Sequence, residues 1–113
     1  MVNKNEKREN DLPIESNTSE AYFKSDANGN IKQLRVYNPI THKAMFDIDF
    51  IDEHRNKKTG ELFPLGVAHV QEFKIINGKL VRNSKTARLM TDAEIKKWGS
   101  IIMIVNPDVR FTK

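Results

Sequence analysis

The sequence predicts an α+β domain: a mostly antiparallel sheet of about five or six strands with one or two short helices. Three observations carry that expectation. Two Asn-Gly pairs, Asn28-Gly29 and Asn77-Gly78, sit between strand-like runs, and Asn-Gly supplies the positive φ that a tight hairpin turn demands. Within Met45–Ile51, Phe46–Phe50 alternates strictly between apolar and polar residues, the period of a strand. Thr91-Asp92-Ala93-Glu94 has the spacing of a capping box, in which the Thr91 hydroxyl accepts from the Glu94 amide while Glu94 reaches back.

Taken in order, Met1–Ser19 is rich in Asn, Glu, Lys and Ser with few apolar residues, and reads as a disordered polar lead that cannot bury enough to order itself. Residues 20–113 form the domain. Ala21–Lys24 and Ile31–Tyr37 make the first hairpin. In the second of these strands Ile31, Gln33, Arg35 and Tyr37 share one face, and Lys32, Leu34 and Val36 the other. Asn38-Pro39 breaks the ladder, and Ala44–Ile51 returns as a third strand. Asp52–Gly66 is a loop, punctuated by Lys58-Thr59-Gly60 and Pro64. Val67–Ile76 and Lys79–Arg82 make the second hairpin. A short helix runs to about Trp98 with Gly99 as its stop. Ile101–Val105, the longest aliphatic run, reads as a buried terminal strand closed by Asn106-Pro107.

At 113 residues the chain suits one small domain, with no room for a separate cofactor domain. The absence of cysteine excludes disulfides and thiolate metal sites. The N-terminus carries no apolar signal core, the aliphatic run is far too short to span a bilayer, and no membrane partner is expected. The net charge is +4, but residues 1–20 hold three bases and five acids, which leaves the remainder more basic. Lys74–Lys97 alone holds seven bases against Asp92 and Glu94. Such a body attracts polyanions by Coulomb attraction and counterion release; ordinary solubilising charge is the plain alternative.

The chemistry-bearing residues cluster between Arg35 and Arg88. Asp47 and Asp49 lie two apart on a strand, so their carboxylates share a face at about 7 Å spacing. Aspartate is disfavoured in strands, and two like charges call for a cationic partner. Arg35 and Tyr37 on the neighbouring strand are the natural candidates, and a purely structural salt bridge would satisfy the same pattern. His69 is either a satisfied buried histidine or, if its face lines a cleft, the best general acid/base in the chain. His54 follows Asp52-Glu53 just past a strand end, where functional residues gather. His42 reads as a surface turn residue. Asp47, Asp49, His54 and His69 together make an oxygen/nitrogen ligand set, yet no helical HExxH, paired-cysteine or calcium-loop spacing is present; no metal ligand and no cofactor is assigned, and a metal-dependent hydrolase is kept as an alternative. Lys79, Arg82, Lys85 and Arg88 recur every third residue and read either as a phosphate-contacting rim or as a solvated connection.

Four segments, Arg35-Val36-Tyr37, Asp47-Ile48-Asp49-Phe50, Asp52-Glu53-His54 and Ala68-His69-Val70-Gln71-Glu72-Phe73, together resemble a class of bacterial polymorphic-toxin C-terminal domains. Those domains carry an Arg/Tyr strand, an Asp-Ile-Asp-aromatic strand, a histidine soon after, and a Pro-His-x-His strand downstream. The class is regarded as RNases and is carried by secreted toxins and by phage or mobile-element proteins. The resemblance covers about residues 31–73. Here Gln71 stands where that pattern has its second histidine, and Ala68 where it has proline. The resemblance implies an RNA-cleaving domain acting in the cytoplasm, with an immunity protein as partner. It implies His69 and His54 as acid/base residues, Asp47 and Asp49 as orienting carboxylates, and Arg35 as a phosphate clamp. On this reading His69 takes the 2′-hydroxyl proton with His54 or Tyr37 as its partner, no metal takes part, and Lys79, Arg82, Lys85 and Arg88 hold the backbone. A non-catalytic phage or mobile-element module that binds protein or nucleic acid on the same face is the other alternative.

Overall fold

The computed structural model describes residues 20–113, together with the backbone of Val2–Lys4. The lead expected over Met1–Ser19 therefore lies outside the described residues, except for Val2–Lys4. These form β1 (Val2–Lys4), parallel to β2 (Ala21–Ser25). The sheet continues antiparallel through β3 (Ile31–Tyr37), β4 (Ala44–Asp49), β7 (His69–Ile76) and β8 (Lys79–Arg82), in the order β1-β2-β3-β4-β7-β8. A two-residue strand, β9 (Arg88–Leu89), pairs the start of β7. The α+β class is as expected, a curled antiparallel sheet with one helix. Both hairpin turns form where Asn-Gly stands: Asn77 and Gly78 both take positive φ, 51° and 77°, as a type I′ turn requires. In the first turn Asp26 Oδ1 accepts from the Asn28 and Asn30 amides.

Two sequence expectations are corrected. The loop from Asp52 to Gly66 carries a small hairpin of its own, β5 (His54–Arg55) and β6 (Leu62–Phe63). Ile101–Val105 is helix, not strand: α1 runs unbroken over Asp92–Val105, with the capping box formed at Thr91 and Glu94. A short aliphatic run has no period that separates a strand from a buried helical turn, and here Trp98 and Ile102, four residues apart, are the ones buried on the sheet. Gly99 does not stop the helix. It sits beside Phe111, where a Cβ would lie 3.2 Å from Ile95 Cγ2 and 3.5 Å from Phe111 Cζ, a close approach set against the ~1 kcal/mol that glycine costs inside a helix. No helix among the described residues is long and apolar enough to cross a membrane.

Helix α1 covers one face of the sheet. Phe23, Leu34, Val36, Phe46, Ile48 and Val70 form that side of the core, with Trp98, Ile102, Met90 and Val109 above them. The other face is polar and also buried. Cross-strand register makes two rows on it, Tyr22–Arg35–Asp47–Gln71 and Lys24–Gln33–Asp49–His69. Asp47, Asp49, His69 and Gln71 are all buried there. Polar side chains taken out of water must find partners, and the two rows find different ones.

Candidate active site

The first row closes on itself. Arg35 donates from Nε to Asp47 Oδ1 at 2.8 Å and from Nη2 to Oδ2 at 3.1 Å, and Arg82 Nη1 reaches Oδ2 at 3.2 Å. The Arg35 guanidinium also lies 4.9 Å from the Phe73 ring centroid, a cation–π contact. Asp47 is thus the shared counterion of two arginines, the structural salt bridge that its strand position admits. Arg35 is turned inward by this pairing and does not present its fork to solvent.

The second row gathers the chemistry. His69, at the head of β7, is fully buried, and its Nδ1 donates to the Val67 carbonyl at 2.8 Å. That bond assigns the proton to Nδ1 and leaves the Nε2 lone pair facing outward. The Phe63 ring stacks on it at 5.5 Å with 20° between planes. His54 Nδ1 stands 2.5 Å from His69 Nε2, and 3.9 Å from Asp49 Oδ2. Asp49 Oδ1 accepts the amides of Ile51 and Asp52 at 3.3 and 3.1 Å, which leaves Oδ2 turned toward the imidazoles. Among the described residues no lysine or arginine lies within ion-pair distance of Asp49.

The β5–β6 hairpin delivers His54. Buried Asn56 pins it: its Oδ1 accepts from Lys58 and Thr59 to form the turn, while its Nδ2 donates to the carbonyls of Lys85 and Ala87 at 3.1 and 2.8 Å. His54 keeps 28% of its side chain exposed, so it is the imidazole that solvent can reach. A groove of about 590 Å³ is lined by Ile31, Phe50, Ile51, Leu65 and Val105 among others. None of Asp49, His54 and His69 lines it, and the site opens instead at His54.

Burial sets the electrostatics. It pushes the Asp49 carboxyl up to about 6, opposed by His69 and reinforced by Asp52. Burial also holds both imidazoles below the usual histidine range. For His54 the positive charges of Arg82 and Lys32 add to the effect and Asp52 opposes it; for His69 the Val67 carbonyl and Asp49 oppose it. Both rings are therefore neutral at pH 7 beside an ionised carboxylate. Lys32 reaches Asp52 at 3.3 Å, so two cations flank the exposed edge of the site.

Other expected residues lie apart. Tyr37 is buried against Tyr22 edge to face, and burial pushes its phenol far above the ordinary range. Of the basic set, Arg82 is held by Asp47, and Arg88 forks onto Glu94 at 2.8 and 3.0 Å and reaches Glu72 at 3.2 Å; Lys79 and Lys85 are exposed. Sequence reasoning missed Lys32, Asn56 and Phe63. The only local signal for Phe63 was an apolar pair, Leu62-Phe63, inside a polar loop. No family model, no curated protein and no solved structure matches this chain.

Proposed function

We propose that the domain cleaves RNA by acid–base chemistry, with His54 as the catalytic base. The observation that carries this reading is the contact between His54 Nδ1 and His69 Nε2 at 2.5 Å. Two nitrogen lone pairs cannot face each other at that distance; a positive centre must lie between them. With His69 already donating from Nδ1, the proton between the rings belongs to His54 Nδ1, and the second nitrogen of His54, Nε2, carries the free lone pair. His69 is then a positioning residue that fixes the tautomer of His54, as a carboxylate or carbonyl does for other catalytic histidines. The sequence-based preference for His69 as base gives way because no atom of His69 reaches solvent.

In the reaction His54 Nε2 takes the 2′-hydroxyl proton, and the 2′-oxygen attacks the adjacent phosphorus. The bond to the 5′-oxygen breaks and that oxygen leaves with a proton from water, giving a 2′,3′-cyclic phosphate and a 5′-hydroxyl. Arg82 and Lys32, which both act on His54 electrostatically, stabilise the charge that develops on the phosphorane. They take the clamp role that the resemblance to RNase toxins gives to Arg35. Exposed Lys79 and Lys85 supply sequence-independent backbone contacts.

The test is cleavage of a labelled oligoribonucleotide by the purified chain in chelator. His54→Gln should lower the rate by about 10²–10⁴, and His69→Gln should displace the acid limb of the pH profile as well as lower the rate. A His54→Gln protein as active as the parent rejects the assignment.

A further inference from the structure

We propose that Asp49, His54 and His69 form a binding site for a borderline divalent cation of the zinc class, and that loading it switches the base off. The three side chains offer one carboxylate oxygen and two imidazole nitrogens, all within 4.8 Å of one another. Neutral imidazole and carboxylate are the donor types that zinc takes in sites with an open position. Ligand atoms on such an ion sit at ~2.0–2.2 Å from it and hence, in a tetrahedron, roughly 3.4 Å apart. To reach that spacing, the facing ring nitrogens, 2.5 Å apart, part by nearly an ångström, and the widest separation in the set, 4.8 Å, closes by somewhat more than one.

Each ligand has the outer support that metal ligands use. His69 donates its other ring N–H to the Val67 carbonyl, which aims Nε2 into the site. Asp49 commits Oδ1 to two backbone amides and keeps Oδ2 free. The charge balance agrees. Asp47, two residues away and equally buried, is neutralised by two guanidinium groups, while Asp49 has no such neighbour among the described residues. Asp49 is thus buried beside two imidazoles with no cationic side chain to balance it among the described residues. Exposure of His54 gives the ion its entry and leaves a coordination position toward solvent.

The consequence for catalysis follows from the tautomer. Coordination takes the lone pair of His54 Nδ1, so its proton moves to Nε2, the nitrogen that would accept from the 2′-hydroxyl. The inhibitory half of the proposal rests on the nuclease reading; the ion-binding half does not.

The experiment uses the untagged full chain stripped with chelator and titrated with Co²⁺ and Zn²⁺. Visible d–d absorption on adding Co²⁺, bleached by Zn²⁺, and calorimetric binding of one Zn²⁺ per chain are expected. His54→Gln and Asp49→Asn, conservative changes that keep the fold, should weaken binding by more than the roughly 10–100-fold that losing an outer support costs. His42→Gln, at an exposed turn, should leave binding unchanged. Zn²⁺ should arrest RNA cleavage and chelator should restore it. Binding that is absent, or unchanged in His54→Gln, overturns the site. Cleavage that requires Zn²⁺ overturns the inhibitory role. Zn²⁺ binding that depends on His54 and Asp49, in a chain that cuts no RNA under any condition, upholds the site and rejects the nuclease reading instead.

Discussion

Asp47 and Asp49 are the same residue, two positions apart on one strand, on one face, and almost equally buried at 1% and 3% exposure. Their surroundings differ completely. Asp47 lies in a row with Arg35 and is reached by Arg82 from β8, so its charge is cancelled where it stands. Asp49 lies in a row with Lys24, Gln33 and His69, and its partners within hydrogen-bond or ion-pair distance among the described residues are backbone amides and an imidazole. The difference teaches that burial alone does not decide whether a carboxylate is structural or chemical. A carboxylate with bidentate cationic partners is spent on the fold; one held by neutral donors keeps its charge available to a proton, a cation or a substrate.

Asp47→Ala should break the comparison most severely. It leaves two arginines around an unfilled buried site, and removing one partner of a buried ion pair costs ~3–5 kcal/mol; urea unfolding reads the loss. If Asp47→Ala melts like the parent, Asp47 is not the structural member of the pair.

Asp49→Asn should act through pH, with an effect on the order of 3 kcal/mol. Burial raises the Asp49 pKa from 3.8 to about 6. Its contribution is therefore fully present below its unfolded value and is lost as pH rises through about 6. Both histidines run the other way. Their lowered pKa values mean that protonation below about 6.5 costs stability. In the parent, measured in chelator, the two trends oppose each other between pH 7 and 5. In Asp49→Asn only the histidine trend remains, so stability should be higher at pH 7 and fall more steeply on acidification. Parallel pH profiles for the two proteins would contradict the environment assigned to Asp49.

Thr91→Ala provides the baseline. Loss of the cap should cost ~1 kcal/mol and leave Zn²⁺ binding and RNA cleavage untouched, because the cap lies on neither polar row. Arg82→Gln should be the mildest for stability, below ~1 kcal/mol for a partly exposed partner, since Arg35 still holds Asp47. It should nevertheless raise the His54 pKa by removing a nearby positive charge, moving the acid limb of the cleavage profile to higher pH. An unmoved limb would show that Arg82 does not act on His54.

Much of the fold was legible because its signals are local. Alternation in Met45–Ile51 set the faces of β4, Asn-Gly set both hairpins, and Thr91 with Glu94 set the start of α1. Where a local signal was ambiguous the reading failed. Ile101–Val105 carries no period of its own, and only the fit of Trp98 and Ile102 onto the sheet, with Gly99 against Phe111, made it helical. The site was legible in parts: the sequence placed both aspartates on one face, named Arg35 and Tyr37 as candidate partners, of which Arg35 pairs with Asp47, and singled out His54 and His69 as the histidines of interest and His42 as surface.

The amino-acid sequence by itself determined which side chains share a face, because a strand's two-residue period leaves no choice. It could not determine which aspartate the arginines would neutralise, since that depends on cross-strand register and on where β8 returns. Nor could it bring His54 to His69 across fifteen positions. That contact exists because Asn56 anchors a small hairpin to the carbonyls of Lys85 and Ala87, and such an anchorage is a property of the packed molecule, where chain distance no longer limits which groups meet.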